Sequence, residues 1–279
     1  MQEEIVVKAP TTEALTPAQI TQKAEDLGVT KTEMSFGRSF ALSIMAGAFI
    51  AMGAMFFSLV VGDPALPFAI QRVLGGFLFC LGLILVVVAG AELFTGNTMI
   101  VMTAASKRIK WSAVWKNWIV VFFGNFLGAL VIVGLVFLSD MSAMNGGQVG
   151  QTMVSVAAGK MHADWLVLFA KGIMCNFLVC LGVWMAYASK TVADKILAVV
   201  FPITAFVACG FEHCVANMFF LPMGALLASC GIAPAGVDLA SVNMLGALYN
   251  WSATVPGNIV GGALMVGMMY WFIYRKKKN

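Results

Sequence analysis

The sequence predicts an all-α membrane protein of six transmembrane helices in a 3+3 inverted repeat, with the second and fifth helices interrupted. Three observations carry this. Hydrophobic residues fill 61% of the 279 positions and charged residues only 11%, where an ordinary soluble domain has roughly 25% charged. Six apolar runs are long enough for a bilayer, which takes about 20 residues in a helix. Two of those runs break at one shared pattern, Gly-x-Glu-x4-Asn: Gly90-Ala-Glu92-Leu-Phe-Thr95-Gly-Asn97 in the first half and Gly210-Phe-Glu212-His213-Cys-Val-Ala-Asn217 in the second.

Residues 1 to 35 are polar and carry Glu3, Glu4, Lys8, Glu13, Lys23, Glu25, Asp26, Lys31 and Glu33. They read as an amino-terminal tail rather than as a secretory signal peptide, which would be apolar at its centre. Within the tail Thr16 can cap a helix that has Pro17 at its first position, and Ile20, Ala24 and Leu27 then share one face. Such a helix either lies on the inner membrane surface or serves as a plug or docking element for a cytoplasmic partner.

The membrane-embedded region spans residues 36 to 274, with crossings near 37–61, 70–105, 112–138, 164–188, 192–228 and 245–274. The second and fifth are too long for one straight helix and contain the two breaks, so each reads as a helix, a short unwound turn and a half-helix. Paired interruptions in two halves point to a binding site or pore near the bilayer midplane. Residues 275 to 279 form a basic carboxyl-terminal tail.

Basic residues set the orientation. With the amino terminus inside, the inner segments hold Lys8, Lys23, Lys31, Arg38, Lys107, Arg108, Lys110, Lys116, Lys190, Lys195, Arg275, Lys276, Lys277 and Lys278. Of the 17 Lys and Arg, the outer side keeps Arg72 and Lys160, and Lys171 sits in the fourth span. Both termini are therefore expected in the cytoplasm, and the net charge of +4 follows from topology rather than from a nucleic-acid partner.

The halves also repeat in their last spans, where Gly124-Asn125-x2-Gly128-x5-Gly134 recurs as Gly257-Asn258-x2-Gly261-x5-Gly267. Three crossings separate the copies, so they enter the membrane from opposite sides. The glycines suit close helix packing.

Embedded polar residues are few: Glu92, Thr95, Asn97, Lys171, Asn176, Glu212, His213 and Asn217, with Asn125 and Asn258 in the packing helices. A charge at the centre of a membrane helix costs roughly 2.5 to 3.5 kcal/mol even on a lenient scale. Glu92 and Glu212 are therefore expected to accept backbone N–H groups freed at the breaks or to be protonated, and a proton-relay role is the alternative. Gly90, Glu92, Asn97, Gly210 and Asn217 are assigned to the structure of the breaks. His213 is one of two histidines and the embedded side chain whose charge can change near neutral pH. Thr95 sits at the other break, so hydroxyl and imidazole can face one passage from opposite halves. The six cysteines show no CxxC or metal spacing and read as small apolar packers. No metal site or cofactor is expected.

Four segments together resemble the signatures of the formate/nitrite transporter family: Gly90–Asn97, Lys171-Gly-x-x-Cys-Asn176-x-Leu-Val-Cys-Leu181, Gly210–Met218 and Gly257-Asn258-Ile-Val-Gly-Gly262. The match covers residues 35 to 274 in order and spacing. It implies a homopentamer in the cell (inner) membrane, each protomer with an aquaporin-like fold and its own pore for small monovalent anions. It further implies that His213 and Thr95 form the central polar site between constrictions at Leu83, Leu93, Phe94 and Phe206, with Phe79 and Val179 beside them. Asn176 matches a pore-side amide, and Lys160, in the connection after the third span, an outer basic residue that draws anions in.

A slit lined by Leu and Phe strips an anion of water without returning charge, so it should pass neutral molecules and reject ions. Protonation to the neutral acid removes that barrier, with His213 favouring the transfer directly or through its field. Formate is the first expectation, with nitrite and hydrosulfide as alternatives within the family. An intramembrane enzyme lacks support, since Glu212-His213 is not an HExxH motif. Asn97 and Asn217 lack the following Pro of a water pore, and an ammonium transporter would show paired pore histidines. A non-transporting scaffold has no use for embedded Glu and His.

Overall fold

A computed structural model describes residues 13–275, so most of the basic carboxyl-terminal tail and the first twelve residues lie outside the described residues. Every regular element in it is helical. The first half comprises α1 (Pro17–Glu33), α2 (Phe36–Val61), α3 (Phe68–Leu85), α4 (Phe94–Asn97), α5 (Val101–Ala105) and α6 (Trp111–Leu138). The second comprises α7 (Gln148–Met161), α8 (Trp165–Ala188), α9 (Val192–Ala208), α10 (Asn217–Ser229), α11 (Met244–Ile259) and α12 (Met269–Tyr274), the last two joined by a wider π-helical stretch, Val260–Met268. Five helical runs are each long and apolar enough to cross a membrane. The remaining crossing is the split one, with the 17 residues of α9 before its break and the 13 of α10 after it.

The repeat is deeper than three spans plus three. Each half opens with an amphipathic helix, α1 or α7, then runs span, split span, span. Helix α1 begins as its sequence predicts: Thr16 accepts the Gln19 N–H, the Gln19 side chain returns to the Thr16 N–H, and Pro17 occupies the first turn. Ile20 and Ala24 are buried, and the helix continues to Glu33. Helix α7 was not expected, because a search for 20-residue apolar runs passes over it; its signal is the helical spacing of Val149, Met153, Val154, Ala157 and Met161, all buried.

Helices α2 and α6 pack at backbone contact, with Gly47 against Asn125 and Gly128 against Ile44; α8 and α11 do the same through Gly257 against Phe169 and Gly261 against Ile173. The recurring Gly-Asn-x2-Gly thus sets both close approaches. Gly134, the last glycine of the first copy, faces open space and has no part in this.

One expectation is corrected. Cys80, Cys175, Cys180 and Cys214 are buried packers, but Cys209 and Cys230 are exposed, each at the C-terminal cap of a helix, α9 or α10.

Candidate functional site

Both breaks are built the same way. Gly90 and Gly210 take positive φ, 85° and 72°, a region that costs an L residue roughly 1 to 2 kcal/mol. The chain then runs extended through Ala91 and Leu93 before α4 begins. Backbone groups released from the helix cannot be left bare in a membrane. Asn125 on α6 bridges the first gap: its Oδ1 accepts the Phe94 N–H at 2.9 Å and its Nδ2 donates to Glu92 O at 2.9 Å and Ser43 O at 2.7 Å. Asn258 on α11 does the same for the second, with Cys214 N–H at 2.9 Å and Glu212 O and Gly172 O at 2.8 Å. The Glu92 N–H reaches Leu42 O and the Glu212 N–H reaches Lys171 O, each at 3.2 Å.

The two glutamates are therefore free of the role expected for them. They accept no released backbone N–H; each sits in a cluster of side chains. Glu92 takes the Lys31 ammonium at 2.8 Å and the Asn97 amide at 2.7 Å, and Lys31 also donates to Asn97 Oδ1 at 2.7 Å. Glu212 takes Lys160 at 2.9 Å, Asn217 at 2.7 Å and Asn250 at 3.3 Å. Lys31 on α1 is thus the inverted counterpart of Lys160 on α7. Asn117 and Asn250 complete the pattern, accepting from Asn97 and Asn217. Sequence reasoning used Lys31 only for topology and passed over both of these asparagines. Lys160, expected in an irregular connection, lies instead in the last turn of α7, its ammonium 5.4 Å from the Phe220 ring centre.

Each cluster edges a cavity. On the α7 side about 300 Å³ is bounded by Arg72, Lys160, Lys171, Phe79, Phe206 and His213, among others. On the α1 side about 610 Å³ is bounded by Lys23, Lys31, Arg38, Lys195, Leu83 and Leu93, among others. These two vestibules approach one another at the breaks. Phe79 and Phe206 meet edge to face at 5.7 Å and form the floor of one, with Phe206 stacked on His213 at 5.8 Å; Leu83 and Leu93 belong to the other.

Across the two breaks Thr95 Oγ1 lies 3.1 Å from His213 Nε2, and His213 edges the α7-side vestibule. The Ala216 N–H donates to His213 Nδ1 at 3.0 Å, so the imidazole is neutral there and carries its proton on Nε2. Nε2–H then donates to the Thr95 oxygen. The Thr95 hydroxyl hydrogen has no protein acceptor among the described residues, and the pair offers a hydrogen-bond donor to anything that reaches it.

Three further expected pore residues, like Thr95 itself, are buried and line neither vestibule. Asn176 is fully buried and lines neither vestibule, because its amide is spent on Thr95 O at 3.1 Å, Thr98 Oγ1 at 3.1 Å and Asn258 O at 2.7 Å; it fastens the α4 turn to α11 from behind. Phe94 turns toward α6, edge to face with Phe122 at 5.3 Å and Trp118 at 6.2 Å. Val179 is buried and lines neither vestibule.

Two basic vestibules, one edged by each break, with a buried hydroxyl–imidazole pair bridging the breaks, suit a membrane channel for small anions. A family model described as formate/nitrite transporter matches residues 18–272. A formate channel of Escherichia coli strain K12, FocA, is 39% identical over 276 residues, covering 95% of this chain and 96% of that one. Among solved structures, a pentameric formate channel with formate bound has a TM-score of 0.77 at 37% identity, covering 86% of this chain and 98% of the other; an FNT family ion channel has 0.80 at 27%, covering 91% and 98%. The chain belongs to the formate/nitrite transporter family and is a multi-pass membrane protein, a channel rather than an enzyme.

Proposed function

We propose that the protein conducts formate, with permeation linked to protons, through a pore in each protomer of a homopentamer in the inner membrane, both termini cytoplasmic. The names of the relatives support formate and the pentamer; the count of basic residues supports the orientation. The observation that carries the transport reading is the Thr95–His213 pair. A hydroxyl whose oxygen is held by an imidazole N–H presents its own hydrogen outward, which suits a small conjugate base and opposes a cation.

Lys160 and Lys31 gather anions at the two mouths, where a lysine beside a low-dielectric wall raises local anion concentration. At the floors formed by Phe79 with Phe206 and by Leu83 with Leu93, a bare anion would lose its water uncompensated. The anion takes a proton from the water on the entry side as the apolar floor strips its hydration, which favours the neutral form, crosses as the neutral acid oriented by Thr95, and releases the proton to the water on the far side. His213 holds Thr95 in place and takes part through Nε2, since Nδ1 is engaged by Ala216.

The test is flux of labelled formate into proteoliposomes from pH 5 to 8, with nitrite and hydrosulfide as competitors. His213→Asn is expected to flatten the pH dependence. A variant with the wild-type pH response would overturn the role of the imidazole, and flux of nitrite or hydrosulfide far above that of formate would reassign the substrate.

A further inference from the structure

The α1 vestibule is larger than its task requires. At about 610 Å³ it is twice the volume of its counterpart on the α7 side and falls within the roughly 300–1,000 Å³ typical of sites for whole organic ligands, whereas formate has three heavy atoms. Its lining is also charged in excess. Lys23, Lys31, Arg38 and Lys195 face it, with Glu92 as the carboxylate, and Glu92 is taken by Lys31.

The neighbouring acids are engaged elsewhere. Glu25 and Asp26 turn to Arg108, and Asp194 is folded back on the Lys190 and Thr191 N–H groups as part of the α9 cap. Among the described residues, Lys23, Arg38 and Lys195 have no carboxylate within ion-pair distance. Lys23 spends one of its three N–H donors on Tyr187 O at 2.7 Å. Partial burial, reinforced by the nearby charges of Lys195 and then Lys190, holds its ammonium below the usual lysine range. Two of these three cations, Lys23 on α1 and Lys195 on α9, feel one another's charge in the same cavity, with no counter-charge of their own among the described residues.

We propose that this vestibule binds a small organic dianion, held by Lys23 and Lys195, that is too large for the floor at Leu83 and Leu93 and so closes the pore from the α1 face. The anion neutralises the Lys23–Lys195 pair and fills space that a formate ion leaves open. A monoanion of equal size satisfies one cation and leaves the other, so the site selects by charge.

The probes are succinate and monomethyl succinate, which share one four-carbon backbone and differ by one charge and one methyl group. Full-length protein is reconstituted into vesicles sorted by orientation, and labelled formate flux is measured with each probe added on either face. Binding of radiolabelled succinate to the detergent-solubilised protein is measured separately. Succinate on the α1 face is expected to slow flux, with the monoester about tenfold weaker. Lys23→Met combined with Lys195→Met should raise the half-inhibitory concentration roughly tenfold through loss of two partly desolvated charge contacts, read as a fraction of that variant's own uninhibited flux. Lys195→Glu serves as a second variant that leaves the Lys23–Tyr187 bond in place.

Equal potency of the two probes, equal inhibition from both faces, or inhibition unchanged in these variants would overturn the proposal. So would passage of succinate at the rate of formate. The inference concerns a block of the transport proposed above, and the two fail separately: a protein that binds succinate through Lys23 and Lys195 but carries no formate keeps the site and loses the transport reading.

Discussion

Replacing Lys31 and Lys160 singly by Met tests whether the two break clusters are as unequal as their hydrogen bonds make them. Lys160 makes one bond there, to Glu212, and after its removal Glu212 keeps the amides of Asn217 and Asn250. Lys31 makes two, to Glu92 and to Asn97 Oδ1, and after its removal Glu92 keeps only the Asn97 amide while Asn97 Oδ1 loses its donor. A hydrogen bond to a charged group contributes about 1.5 to 3 kcal/mol, and both lysines are mostly buried, their side chains 19% and 16% exposed. Lys160→Met should therefore cost about 2 kcal/mol and Lys31→Met about 4 kcal/mol, one such bond against two. The assay is thermal unfolding of the purified protein in detergent at one fixed scan rate, since irreversible unfolding makes the midpoint depend on rate. Adding Glu92→Gln to Lys31→Met should recover part of the loss by removing the unpaired charge. Equal losses, or a larger one for Lys160→Met, would refute the reasoning, because the symmetric frame would then be compensating in a way the bond pattern does not contain.

Gly90→Ala meets open space and should cost only the backbone penalty of about 1 kcal/mol, whereas Gly210→Ala also presses on the Arg72 guanidinium, 3.1 Å from the new methyl, and should cost more; midpoints of the two variants compare them directly. Asn258→Leu strands the Cys214 N–H and Glu212 O in the membrane, at about 1 to 3 kcal/mol each, so it should sharply reduce recovery of folded protein by size-exclusion chromatography, as should Asn125→Leu. Asp194 closes the α9 capping box, accepting the Thr191 and Lys190 N–H groups while its own N–H donates to Thr191 Oγ1. Asp194→Ala should therefore lower the unfolding midpoint slightly, as the loss of one exposed helix cap does.

The breaks, the crossings and the inverted relation were legible because each leaves a local mark: a glycine where φ turns positive, an apolar run, a Gly-Asn spacing. Thr95 and His213 were legible as a pair because one motif occurs twice and differs there. What escaped was long-range pairing. Nothing near Lys31 announces a carboxylate 61 residues away, and a polar tail with a plausible surface helix accounts for that lysine without it. The partners of Asn176 escaped for a related reason: an embedded amide is equally at home facing a pore or tying down backbone, and only the positions of Thr95 O and Asn258 O show this one tied to backbone. Helix α7 was missed because Gln148, Gln151, Thr152 and Ser155 dilute a run that spacing alone would have revealed.

The two halves share a scaffold and differ where transport needs a direction. Each break is sewn by an Asn from the following span and anchored by a Lys–Glu pair from the preceding amphipathic helix, so removing either copy should unmake the same architecture. Within that frame Asn97 Oδ1 is paired with Lys31, while its counterpart Asn217 Oδ1 is buried with no hydrogen-bond partner. Lys160 is thus held by one hydrogen bond and an aromatic face, Lys31 by two hydrogen bonds. An ammonium with one bond to exchange meets an arriving anion at lower cost than one with two, which makes the α7 mouth the readier acceptor. The α1 mouth has its unpaired charge farther out, on Lys23 and Lys195, where an anion can be held without disturbing the break at all.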